Sequence, residues 1–220
     1  SSWRYGVSTD VLGRIIEVVT GKHLESVFKE RIFDPLQMTD TSFSVPDDKL
    51  DKFCALYTRT NENPLKKLED ADDSRFRQPV IMNSGGGGLV SSMRDYVSFV
   101  EMIRRFGELD GERVLGRKTV DYMMQNHLPG DMASMGQKTF SEMPMTGVGF
   151  GLGGAVLLDP VRSGIPGSKG EFTWGGVAST AFWIDPLEDI SVVFMTQLIP
   201  SSSYPIRREL RVLVYQALVD

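Results

Sequence analysis

Residues 170–197 read GEFTWGGVASTAFWIDPLEDISVVFMTQ, and three β-strands are written into that run. Aromatic and β-branched residues dominate GEFTWGG, VASTAFWID and ISVVFMTQ, and such side chains fit a pleated, half-buried surface. Gly175, Gly176, Pro186 and Asp189 supply the turns. The connections are too short for a crossover, so these strands are predicted to be antiparallel neighbours. Upstream, residues 147–159, GVGFGLGGAVLLD, continue the same character. Downstream, residues 205–219 place Ile206, Leu210, Leu213, Val214 and Ala217 at helical spacing, an apolar stripe suited to lying across a sheet.

Toward the N-terminus the period changes. In residues 10–20, Val11, Leu12, Ile15, Ile16 and Val19 recur at helical spacing, with Ser8 or Thr9 as cap and Gly21 as stop. Residues 24–32 repeat the pattern with Leu24, Val27, Phe28 and Ile32 before Pro35, so two helices are expected to pair. Residues 53–58 read as one short strand, and the polar run NENPLKKLEDADDSRFRQ, residues 61–78, as a surface excursion. Four glycines, residues 85–88, lead into a helix capped by Ser91 or Ser92, its core stripe being Met93, Tyr96, Val97, Val100 and Ile103. A shorter helix is predicted over 119–126. Helices over about 1–145, then a meander and a covering helix over about 146–220, describe one α+β region: an antiparallel sheet covered by helices.

Composition narrows the chemistry. Of 220 residues, 29 are acidic and 24 basic, and no Lys/Arg run tracks a phosphate backbone, so nucleic acid is not an expected partner. No apolar segment reaches the ~18 residues that span a bilayer. The single cysteine, Cys54, is expected to be a buried small residue, and with only His23 and His127 beside it no metal spacing emerges. Neither a metal nor a cofactor is expected.

Covalent hydrolysis needs a nucleophile, a base and donors aimed at the developing oxyanion. There is no G-x-S-x-G elbow, and His127, in MMQNHLPG, reads as a helix-end residue. One S-x-x-K exists, Ser26 to Lys29. On a helical wheel these two residues point away from the apolar face of Leu24, Val27, Phe28 and Ile32, toward solvent, so the pair is rejected as a catalytic site. The four glycines lack the Lys-Ser/Thr of a phosphate loop and read as a tight turn near an active-site floor or as a helix entry. The methionine-rich segment 132–145 reads as a mobile pocket wall or as an ordinary surface loop.

Several runs together carry a resemblance: WRYGVSTDVLGRIIEVVTGKHLESVFKERIFDPLQMTDTSF (3–43), GGGGLVSSMRDYVSFVEMI (85–103) with KTVDYMMQNHLP (118–129), and GFGLGGAVLLDP (149–160) with GEFTWGGVASTAFWIDP (170–186). In this order they resemble the serine β-lactamase and penicillin-binding-protein superfamily, and within it most of all the β-lactamase-like, family VIII carboxylesterases; class C β-lactamases are similar too. The resemblance implies a β-lactamase/transpeptidase-like fold. It also implies that Tyr5 is the general base, matching the tyrosine of Y-x-N or Y-S-x, and that Trp174, Gly175 and Gly176 form the K-T-G-like substrate strand. The backbone N–H of Val177 then falls where the family places an oxyanion donor. A free tyrosine has a pKa near ~10, and the lysine of S-x-x-K is the family's cation for lowering it. Val7 stands for the family's asparagine and Trp174 for its lysine, which implies an apolar, uncharged small-molecule ester over a lactam carboxylate. Without those glycine and tyrosine roles, the strand glycines would only relieve crowding beside Trp174 and Trp183, and Tyr5 would only pack beside Trp3.

The family's S-x-x-K serine lies well upstream of its tyrosine, so the resemblance implies that the nucleophile, and the N-terminal portion of the fold, come from a segment or chain outside these residues. An unpaired sheet edge and an uncovered core face are expected in its absence, and stable folding only in its presence. Three functions stay open: an ester hydrolase working through an acyl-enzyme, a β-lactamase or D-alanyl peptidase, and a non-catalytic binding protein. Self-association stays open as well.

Overall fold

The computed structural model describes residues 2–78 and 80–219. Helix α1 (Ser8–Thr20) ends at Gly21, which turns left-handed at φ 67° and returns its N–H to the Glu17 carbonyl. Ser8 and Thr9 lie inside its first turn, and no side chain caps it. Helix α2 (Leu24–Phe28) runs on as a π-helical turn over Lys29–Phe33 and pairs with α1 as expected. Gly13 permits that pairing: a β-carbon there would stand 3.0 Å from Leu24 and 3.3 Å from Gly85.

Strand β1 (Leu56–Thr58) lies inside the predicted 53–58 stretch, but the polar run holds a strand that hydropathy did not announce, β2 (Lys66–Glu69). Its order comes from main-chain pairing with β1, not from an apolar face. Helix α3 (Met93–Arg104) starts at Ser92, whose Oγ accepts from the Asp95 N–H at 3.3 Å. Hairpin β3 (Glu108–Leu109) and β4 (Glu112–Arg113) leads to α4 (Arg117–Met123), and a second hairpin, β5 (Thr139–Phe140) and β6 (Met143–Pro144), precedes the main sheet. That sheet contains β7 (Val148–Phe150), β8 (Ala155–Leu157), β9 (Phe172–Gly175), β10 (Ala181–Asp185) and β11 (Ile190–Phe194), with α5 (Pro160–Ser163) between β8 and β9. The chain closes with β12 (Leu198–Ile199), parallel to β1, and α6 (Ile206–Tyr215).

All five main strands are antiparallel, in the order β11-β10-β9-β8-β7. Strand alternation then sorts the two faces. Phe172, Phe182 and Ile184 face a core completed by Val100, Met102 and Ile103 of α3, Val120 and Met124 around α4, and Phe33. On α3 the buried set is shifted from expectation: Met93 and Val97 are exposed, and Asp95 is buried instead, accepting from the Asp40 N–H at 2.7 Å and the Thr41 hydroxyl at 2.8 Å.

The other face overturns the expected seating of α6. Arg207 and Arg211, not the apolar stripe, are the buried residues of this helix, while Leu213 is 58% exposed. The sheet explains the reversal, because it presents Glu171, Thr173 and Asp185 on this side. Arg211 pairs with Glu171 at 2.9 Å, donates to Thr173 Oγ1 at 2.8 Å and lies over the Trp183 ring at 4.6 Å. The Tyr215 hydroxyl lies 2.8 Å from Glu171 Oε2 and 2.7 Å from Asp185 Oδ2, and burial, reinforced by Glu171, raises its pKa. An aliphatic helix face would leave the Glu171 carboxylate buried without a partner, since its hydrogen bonds come from Arg211 and Tyr215.

Two local constraints give measurable outcomes. A β-carbon at Gly85 would fall 2.1 Å from the Thr9 carbonyl oxygen, whereas one at Gly87 would meet nothing within 4 Å. Gly85→Ala is therefore expected to destabilise the protein by about 1–3 kcal/mol in chemical denaturation and Gly87→Ala to be near neutral; equal effects would contradict the packing. The buried Asp131 carboxylate accepts from the N–H groups of Gly147 at 2.9 Å and Ser134 at 2.8 Å, and these bonds hold its pKa down to about 2. Because the folded pKa is depressed, its contribution is present above the unfolded value of ~3.9 and fades as pH falls toward 2. Denaturation between pH 5 and 2 should show this loss in the native protein and not in Asp131→Asn.

Candidate active site

The extended segment before α1 is held by Trp3, whose N–H donates to the Met135 carbonyl at 3.1 Å. It carries Tyr5 into an aromatic group drawn from distant parts of the chain. The Tyr5 ring lies 5.1 Å from Phe140 and 5.9 Å from Trp174, centroid to centroid. Trp174 in turn lies 5.0 Å from Phe140 and 5.2 Å from Phe150, and Phe150 packs 5.2 Å from Trp3. Such contacts, at 4.5–7 Å, add to area burial. Tyr5 keeps 59% of its surface exposed. Two candidate regions some 170 residues apart in sequence are thus neighbours.

At the end of β9 the chain turns tightly. The Gly176 N–H donates to the Thr180 carbonyl and Oγ1, both at 3.1 Å, and the Ser179 N–H donates back to the Gly176 carbonyl at 3.2 Å. Val177, 74% exposed at the tip, has an N–H with no hydrogen-bond partner among the described residues. The glycines are forced from behind. A β-carbon at Gly175 would stand 2.7 Å from both Arg207 Nε and the Thr180 carbonyl oxygen, and one at Gly176 2.5 Å from Thr180 Oγ1. Crowding does require glycine here, then, and its nearest atoms belong to Arg207 and Thr180.

Tyr5 and Val7 also border an open cleft with Asp10, Phe43, Ser84 and Gly86 to Gly88. The Ser84 hydroxyl donates to the Asp10 carboxylate and accepts from the Gly86 N–H at 3.1 Å, so the glycine turn forms part of the cleft lining beside the tyrosine. Sequence reasoning missed the opposite wall, Arg75, Phe76 and Gln78, which belong to the supposed surface excursion. The signal was there in RFRQ, where an aromatic residue interrupts an otherwise polar run.

Other residues fall outside the cleft. Ser26 and Lys29 are exposed, and Lys29 pairs with Asp34. His127 is exposed at the end of α4, its Nε2–H donating to the Tyr122 carbonyl at 2.8 Å. Cys54 is exposed, contrary to expectation; it lies in an irregular stretch just before β1. At the ends of the methionine-rich segment Met132 and Met145 are buried in a second core cluster with Val148, Ala155 and Leu157, and Met143 and Met145 line a pocket with Phe140 and Trp174. Among the described residues no group of three or more His, Cys, Asp or Glu side chains converges on a metal-sized site.

Known proteins share this sequence and fold in part. The chain is 32% identical over 203 residues to an uncharacterized protein of Mycobacterium tuberculosis, covering 90% of this chain and 49% of the relative. It is 31% identical over 208 residues to the lovastatin esterase of Penicillium rubens, covering 84% and 48%. The solved structure of EstCE1, a hydrolase with promiscuous acyltransferase activity, superposes with a TM-score of 0.81 at 31% identity, over 98% of this chain and 56% of that one. The chain spans about half the length of the curated relatives it matches. The family profile described as Beta-lactamase matches residues 1–216, and the chain belongs to that family.

Proposed function

We propose that these residues form one part of a serine hydrolase that cleaves carboxylic esters through an acyl-enzyme, with Tyr5 as general base and the Val177 N–H as an oxyanion donor. The observation that carries the reading is the meeting of Tyr5 with Trp174 beside a glycine turn whose tip N–H is free. A phenol able to take a proton and an unengaged amide able to receive developing negative charge are the two services an acyl transfer asks of groups other than its nucleophile. Rings of Trp3, Phe140, Phe150 and Trp174 make the surroundings apolar, which suits an uncharged ester. Relatives named as esterases and as methylbutanoyltransferases support ester hydrolysis or transfer of the acyl group to another alcohol.

The nucleophile, in this reading, is the serine of an S-x-x-K in a segment outside these residues. Two apolar faces support such a partner. Val11, Leu12, Ile15, Val18 and Val19 of α1 are 51–79% exposed, and Leu213 and Val212 of α6 are turned outward as well. β11, rich in Val and Phe, is an edge of the main sheet. Such surfaces mark interaction sites. The lysine of that segment would be the cation beside the Tyr5 hydroxyl in this reading.

Two measurements test the reading on the full-length protein. Tyr5→Phe is expected to lower kcat for p-nitrophenyl butyrate by about 10²–10⁴-fold, and unchanged turnover would sink it. Added short alcohols separate transfer from hydrolysis by their ester products. Ile15→Asp, a mutation that would cost within about 0.5 kcal/mol on an ordinary surface, is expected to lower the unfolding midpoint far more if the α1 face is covered; a neutral effect would remove the proposed partner from that face.

A further inference from the structure

Arg207 is the most heavily engaged side chain near the turn, and no role assigned above uses it. It sits in the first turn of α6 and is 7% exposed. Its Nη1 donates to Glu142 Oε2 at 2.8 Å, and its Nη2 donates to the carbonyls of Gly176 at 2.9 Å and Thr180 at 3.0 Å. Glu142 lies in the turn between β5 and β6 and is buried with it. One cation therefore joins the C-terminal helix, the hairpin carrying Phe140 and the turn after β9.

The Gly176 carbonyl and the Val177 N–H are the two ends of a single peptide unit. A trans peptide is planar, and its C=O and N–H point in opposite directions; among the described residues the only cis bond is Ile199–Pro200. Fixing the carbonyl from behind thus fixes the direction of the amide hydrogen in front. The bond from a guanidinium is charge-assisted, stronger than a neutral one, and polarises the amide so that its N–H becomes a better donor. Burial shields the charge from water, and Glu142 supplies the counter-charge that makes a buried guanidinium tolerable.

We propose that Arg207 is a positioning residue for the oxyanion site: by holding the Gly176 carbonyl it aims and polarises the Val177 N–H, with Glu142 orienting the guanidinium. This rests on the reading of Val177 as the oxyanion donor. A residue that only stiffened the sheet would change stability; Arg207 should change the transition state.

The test is a double-mutant cycle in the full-length protein, with p-nitrophenyl butyrate as probe. Val177→Pro removes the donor at a position where the turn accepts proline, since Val177 is the second of four turn residues closed by the Ser179 N–H to Gly176 carbonyl bond. It should lower kcat by about 10²–10³-fold, the usual effect of losing one such donor. Arg207→Lys, which keeps the charge but loses the planar fork, should lower kcat by roughly 10–100-fold with KM within about threefold, a loss confined to the transition state. In the Val177→Pro background the same Arg207→Lys change should have almost no further effect on kcat, because the group it acts through is gone. Additive losses, or a fall in unfolding midpoint with kcat unchanged, overturn the inference. Absence of ester turnover, or an unimpaired Val177→Pro enzyme, overturns the underlying reading and the inference with it. Should Arg207→Lys fail to fold, Glu142→Gln, which loosens the guanidinium without removing it, takes its place in the cycle with a smaller loss of the same kind.

Discussion

A carboxylate buried beneath a β-sheet has to be answered by a cation, and in this chain that requirement organises the second face of the fold. Glu171 lies just before β9 and Arg211 in α6, and both are almost wholly buried. Leaving one of such a pair alone costs about 3–5 kcal/mol, a large share of a domain's net stability. The pair therefore fixes which way the helix is rolled against the sheet. Once Arg211 is seated over Trp183, the i−4 position brings Arg207 under the Gly176 carbonyl and the i+4 position brings Tyr215 between Glu171 and Asp185. Helix, sheet and turn take their relation from one ionic contact.

The sequence carried much of this and misled at identifiable places. The antiparallel meander was legible because aromatic and β-branched runs separated by glycine and proline have few other ways to fold. The helix at residues 206–215 was legible as a helix, yet its orientation was not. Periodicity marks the apolar side of a helix and assumes that side is inward; here Glu171 and Asp185 on the sheet reverse the assumption, and nothing local to residues 206–215 records it. The same blindness hid β2, whose residues carry no apolar alternation and are ordered by main-chain pairing alone.

At the site, Tyr5 and the Trp174 strand could be picked out by resemblance, but their contact is tertiary. It depends on Trp3 holding to Met135 and on Phe140 packing against both rings. Arg75, Phe76 and Gln78 were missed because a cleft wall contributed by a polar excursion has no periodic signature. Part of the reason for the strand glycines was also invisible in advance, since some of the atoms that crowd Gly175 belong to Arg207, some thirty residues downstream.

The hairpin from residue 139 to 144 does two things at once. Its Phe140 ring touches Tyr5 and Trp174, and two residues on, Glu142 grips Arg207. Under the proposed function, selectivity and speed would therefore share a mechanical element. A breeder of new variants who reshapes this wall to admit a bulkier acid also shifts the anchor of the guanidinium, so gains in substrate range found at Phe140 or Met143 would tend to come with slower turnover. Compensating changes would then collect along α6, far from any atom of the ester.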